Sequence, residues 1–187
     1  NILDTPGTAD FVGEAICSFR TAEAALMLVD ARDGAQIETI KLWRRLDTRN
    51  KPRAVFINKM DKERANSREV LDNLTEEFHS NFAPVTIPIG YAEDFKGVIN
   101  LIENQAYKFN ANGKEEIIPI PDDMAETVEQ YREELIEKAA EGADDLIEKY
   151  FEEGTLNDDD IRRGLREGLA RNSVVPVFVG ASEKGAG

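Results

Sequence analysis

Continuously apolar runs and helical stripes alternate along this chain. Residues 24–29 (Ala-Ala-Leu-Met-Leu-Val) are apolar without interruption, and so are residues 54–57 (Ala-Val-Phe-Ile). Such runs mark strands buried on both faces of a parallel sheet. A third run, 174–179, carries Pro176 near its start, where a missing N–H is tolerated. A shorter run, Ile2-Leu3, reads as the end of another strand. Between the runs, apolar residues recur at helical spacing: Phe11, Ala15, Ile16 and Phe19; Ile37, Ile40, Trp43 and Leu46; Val70, Leu71, Leu74, Phe78 and Phe82. Each stripe predicts a helix with one buried face. Trp43 lies on such a stripe and reads as core, and Cys17 reads as a small buried residue of the first helix.

From Pro84 the pattern changes. Val85, Ile87 and Ile89 alternate around Pro88, and residues 98–109 are rich in β-branched and aromatic side chains. Asn112-Gly113 is a strong turn signal, and 116–120 reads as a returning strand. These features predict a small antiparallel sheet. Three helical stripes follow, through Met124, Val128, Tyr131, Leu135 and Ala139, through Leu146, Ile147, Tyr150 and Phe151, and through Ile161, Leu165 and Leu169. Asn157 is placed to cap the third helix, and Asp158, Asp159 and Asp160 in its first turn suit the helix dipole. The triplet is therefore a helix start before it is a metal site. The order describes one mostly parallel α/β sheet, interrupted by an α+β segment and then resumed.

The chain has 187 residues, enough for one large domain or two small ones. A net charge of −14 opposes binding to free nucleic acid. Residues 122–172 hold 17 acidic and 7 basic side chains, most of that excess. They read mainly as solvated helical faces, with a charge-steered partner surface as the functional alternative. One cysteine excludes an internal disulfide and fits a reducing compartment. The single histidine, His79, has no histidine partner for a metal site and reads as structural or exposed. No apolar run reaches the length of a membrane span. The chain opens without Met, inside an expected strand, and closes on Gly185-Ala186-Gly187, so an internal piece of a longer chain is expected.

Two motifs carry the chemistry. Asp4-Thr5-Pro6-Gly7 and Asn58-Lys59-Met60-Asp61 each follow an apolar run, and ligand loops of open α/β sheets lie at the carboxyl ends of strands. D-x-x-G alone is weak and N-K-x-D only moderately rare; together, in this order, they are specific. An aspartate after a strand can hold Mg²⁺ through water, and a glycine lets backbone N–H approach a γ-phosphate. Asp61 offers two acceptor oxygens to the adjacent N1–H and 2-amino donors of guanine. Asn58 and Lys59 would shape and cover that pocket.

With Asp10-Phe11, Val29-Asp30-Ala31, Pro88-Ile89-Gly90, Phe95-Lys96-Gly97-Val98-Ile99 and Tyr131-Arg132-Glu133-Glu134-Leu135, these motifs resemble the GTPase domain of bacterial elongation factor G over essentially the whole chain. The resemblance implies an incomplete P-loop GTPase-type sheet flanked by helices. Its core would comprise residues 1–83, an inserted α+β subdomain 84–172, and a return strand with the guanine loop 173–187. It implies a cytoplasmic, Mg²⁺-dependent, ribosome-stimulated GTPase active in translocation, whose insert meets the ribosomal stalk protein. Asp4 would be the Mg²⁺-side aspartate and Gly7 the γ-phosphate contact. Asn58, Lys59 and Asp61 would read guanine, and the Gly180-Ala181-Ser182 turn would give backbone N–H to its O6.

Three departures qualify these expectations. The pattern G-x-x-x-x-G-K-[ST] occurs nowhere, so these residues alone are expected to be inactive and to hold no GTP, GDP or Mg²⁺. Thr8 stands where the family places a histidine that positions the attacking water, and a threonine hydroxyl is too weakly basic to replace it. Ala181-Ser182 reverses the family's Ser-Ala order, with the backbone donor expected to survive. By the same resemblance, the strand ending at Leu3 is separated from strand 24–29 by the absent phosphate-loop strand. That leaves 24–29 an apolar edge prone to self-association. The alternatives are a ribosome- or stalk-binding module impaired in hydrolysis, and a ribosomal-protection or release-factor relative.

Overall fold

The structure, a computed structural model, describes residues 1–110 and 113–187. Its strands in chain order are β1 (Ala25–Asp30), β2 (Arg53–Asn58), β3 (Phe82–Pro84), β4 (Thr86–Ile89), β5 (Gly97–Asn100), β6 (Gln105–Phe109), β7 (Glu115–Ile118) and β8 (Val175–Val179). Its helices are α1 (Val12–Thr21), α2 (Ile37–Thr48), α3 (Ser67–Phe78), α4 (Ala125–Ala140), α5 (Asp144–Glu153) and α6 (Asp158–Arg171).

The apolar runs form a parallel sheet in the order β1-β2-β8-β3. β8 pairs with β2 although more than a hundred residues separate them, so the sheet is interrupted and resumed. The intervening strands form an antiparallel sheet, β4-β5-β6-β7, backed by α4 and α6. The two sheets are stitched together: Val85 N–H donates to Val177 C=O at 2.8 Å, and Val179 N–H to Thr86 Oγ1 at 2.9 Å. Between the helices that flank them, Arg68 of α3 donates to the Tyr131 hydroxyl of α4 at 2.9 Å.

Trp43 is 1% exposed and stacks on Phe78, with centroids 4.2 Å apart. Such a pair contributes about 0.5–1.5 kcal/mol beyond its area burial. The Arg53 guanidinium lies 4.5 Å above the Trp43 ring, donates to its carbonyl and pairs with Asp47 at 2.6 Å. Asn157 caps α6 as its position predicts, accepting from Asp160 N–H at 2.9 Å.

Three expectations are corrected. Ile2-Leu3 is not a strand: residues 1–7 have no regular secondary structure and Ile2 is 96% exposed. Among the described residues no neighbouring strand pairs with this dipeptide, and two apolar residues do not make a ladder. Cys17 is exposed, because α1 buries only Ala15, and a residue two positions on points elsewhere around a helix. Phe82 belongs to β3 and not to the preceding helix, which stops at left-handed His79. Its ring still reaches Trp43, at 5.5 Å. Asn112 of the expected turn lies outside the described residues.

Candidate functional site

β1 and β2 are parallel and in register to their ends, with Asp30 opposite Asn58. Their exit loops therefore leave side by side. With residues 3–7 they line an open cleft of about 560 Å³, which brings Asp4 and Gly7 together with Asn58 and Lys59. Asp61, Ala181 and Ser182 are not among its lining residues; they lie beyond Asn58, where the β2 and β8 loops meet.

That junction is closely bonded. Met60 is fully buried, its N–H donates to Gly180 C=O at 3.1 Å, and its carbonyl accepts from Ala92 N–H at 2.9 Å. The Asn58 amide spans the two loops. Its Oδ1 accepts from Lys59 N–H at 2.8 Å and from Ser182 N–H at 2.9 Å, while its Nδ2 donates to Ser182 Oγ at 2.7 Å. Lys62 pairs with Glu183 at 2.7 Å across the same junction, and this contact raises the lysine's pKa.

The Asp61 side chain is 5% exposed. Lys62 and Lys184 lie 3.5 and 3.7 Å from its Oδ2. Its other oxygen, Oδ1, is buried and accepts no hydrogen bond among the described residues. A buried carboxylate oxygen without a donor is costly, and such an exception calls for a physical account.

Lys59 takes a left-handed φ of +66° and turns its amine across the cleft to Asp30 Oδ2, at 2.8 Å. Arg32 grips the same carboxylate through Nε at 2.9 Å and Nη2 at 2.7 Å. The bond from Arg32, then that from Lys59, hold the Asp30 carboxyl well below the usual carboxylate range against the opposing effect of burial. The sequence pattern marks residues 30–34 only as a turn and does not disclose this cluster. The available signal was the one used for the motifs: Asp30 closes an apolar run at the carboxyl end of a strand.

Asp4, Gly7 and Thr8 are exposed, and the Asp4 carboxylate and Thr8 hydroxyl make no hydrogen bond or ion pair with the described residues. A Cβ added at Gly7 meets nothing within 4 Å, so space above its backbone is open. The Gly180-Ala181-Ser182 turn departs from expectation. Its N–H groups are all engaged internally, Gly180 with Ile57 C=O at 3.0 Å, Ala181 with Ala186 C=O at 2.6 Å and Ser182 with Asn58. The turn folds back on itself through the Ala181–Ala186 bridge, so in this conformation Ala181 and Ser182 offer no free donor.

Comparison with known proteins places this geometry. A crystal structure from Thermus thermophilus is similar, with a TM-score of 0.89 and 29% sequence identity, over 98% of this chain and 27% of that one. The chain thus spans about a quarter of that structure's length. The family model for the elongation factor Tu GTP binding domain matches residues 1–187. With the Asn58-Lys59-Met60-Asp61 loop at the carboxyl end of β2 and the family model matching every residue, the chain belongs to the elongation factor Tu GTP-binding domain family.

Proposed function

We propose that this chain reads the base of a guanine nucleotide through Asp61 and is part of a translational GTPase resembling elongation factor G. The observation that carries the reading is the buried, unpartnered Oδ1 of Asp61. Guanine presents two adjacent donors, and a carboxylate is the side chain that accepts from both. Asn58 holds the two base loops together, and Lys59 reaches back over the cleft. Asp4 and Gly7 line that cleft, where the phosphates would lie. The free carboxylate of Asp4 fits a water ligand of Mg²⁺, which when bound neutralises charge on phosphate oxygens. Thr8 would stand beside the attacking water without being able to take its proton, so hydrolysis is slow or differently arranged. By the same reading the protein works on the ribosome in the cytoplasm, and the acidic helices α4 to α6 face the stalk.

The test replaces Asp61 with Asn in the natural chain that contains these 187 residues. Affinities for GDP and XDP are measured by displacement of a fluorescent nucleotide. An amide keeps one acceptor and adds a donor, which suits the 2-carbonyl of xanthine. Expected are a loss of about a hundredfold or more for GDP and a gain for XDP. A variant that keeps wild-type GDP affinity refutes the reading.

A second reading rests on a separate observation. β1 ends the parallel sheet, with Leu26 58% and Leu28 62% exposed. An open, apolar edge favours pairing with a second copy. Sedimentation of the 187-residue chain over a range of concentrations tests it, and a monomer throughout would dispose of the idea.

A further inference from the structure

Every N–H of the turn that should read a purine carbonyl is already bonded, but the three bonds are not equivalent. The Gly180 bond to Ile57 continues the β2–β8 ladder, and the Ala181 bond closes the bridge to Ala186. Only the Ser182 N–H is held by a side chain, Asn58 Oδ1 at 2.9 Å. The same amide holds the Ser182 hydroxyl, through Nδ2 at 2.7 Å. If the Asn58 amide swings aside to free the N–H for a ligand, both contacts are lost together. A hydroxyl at position 182 therefore stabilises the arrangement in which the turn has no donor to offer.

We propose that Ser182 is a latch on the base site: its hydroxyl, acting through Asn58, holds the site closed until a purine carbonyl takes over the Ser182 N–H. Ser182 is thus a positioning residue that sets how readily nucleotide enters. This rests on the guanine reading above. A ligand-competent state that is a minor population lowers apparent affinity by its fraction, and weakening the latch raises that fraction.

The experiment uses Ser182→Ala and Ser182→Thr in the natural chain that contains these residues. Association and dissociation of fluorescently labelled GDP are followed by stopped flow. Ser182→Ala should raise the association rate constant about two- to tenfold, the worth of one neutral hydrogen bond, with dissociation nearly unchanged. Ser182→Thr, which keeps the hydroxyl, should behave as wild type. A residue that merely supported the loop would instead speed dissociation when truncated. An association rate that is unchanged or lower in Ser182→Ala overturns the latch, and so does a gain confined to dissociation. The Asp61→Asn exchange separates the two ideas. If it shifts preference to XDP while Ser182→Ala is silent, the latch alone falls. A chain that binds neither GDP nor XDP overturns both.

Discussion

Gly164 is the position where helix propensity and tertiary packing predict opposite signs. It lies inside α6, where alanine is intrinsically favoured over glycine by about 1 kcal/mol. A Cβ there would sit 2.0 Å from the Ala139 carbonyl oxygen and 3.0 Å from Leu146 Cδ1. The nearest obstacle is backbone, so no rotamer relieves it, and a tolerable contact near 3.0 Å requires α6 to retreat from α4 by about 1 Å. The retreat opens a seam that buries Leu135, Ala139, Leu146, Ile161 and Leu165. Overpacking of this kind costs about 1–3 kcal/mol and sometimes more, and a backbone obstacle belongs at the upper end. After the propensity gain is subtracted, Gly164→Ala should destabilise by about 1–2 kcal/mol. With a urea slope of about 2 kcal/mol per molar, the midpoint falls by about 0.5–1 M. The assay is urea unfolding followed by circular dichroism. Gly13→Ala is the internal contrast: in α1 its Cβ meets nothing within 4 Å, so the midpoint should rise slightly. A Gly164→Ala midpoint equal to or above wild type would refute the close approach of α6 to α4.

Three further outcomes follow from single contacts. The Tyr107 hydroxyl donates to Glu103 at 2.6 Å, and this bond first, with burial next, pushes its pKa up to about 12. Because the folded value is raised, the contact stabilises fully below the free tyrosine pKa of about 10 and fades as pH rises from there to about 12. Glu103→Gln should lower the Tyr107 midpoint in a phenolate absorbance titration, and an unmoved midpoint would rule the carboxylate out as the cause. Asn157→Ala removes the cap of α6 and should cost about 1 kcal/mol by thermal unfolding, with no loss excluding the cap. Asp47→Ala leaves the Arg53 guanidinium, whose side chain is 4% exposed, without its carboxylate. It should cost about 2 kcal/mol or more in urea unfolding and more than Arg53→Met, because an unpaired buried charge is worse than an apolar replacement. The reverse order would contradict that account.

How much was legible in the sequence depended on how local the cause was. The strands β2 and β8 were readable as apolar runs, because a strand largely covered on both faces needs no polar alternation. β1 was located by the same signal, but it is a sheet edge with one face open at Leu26 and Leu28, so the expected burial on both faces does not hold there. Asn157 was readable as a cap because its acceptor lies three residues away. The Asn58 loop was readable because a strand end and its loop are continuous in the chain. Cys17 was misplaced because periodicity locates a helix but not the breadth of face its neighbours cover. The Asp30–Arg32–Lys59 cluster was passed over because its meaning depends on two strands being in register.

The sequence by itself therefore determined the α/β class, the interrupted sheet and the place of the Asn58 loop at the end of a sheet strand. All of these follow from hydrophobic period and from residues adjacent in the chain. Only the tertiary structure decided that Asn58 is held by Ser182, that Asp61 is left with an unpartnered oxygen, and that Ala181 has spent its N–H. Those facts depend on β2 and β8 lying side by side, and the contacts that place them so are made between residues more than a hundred positions apart.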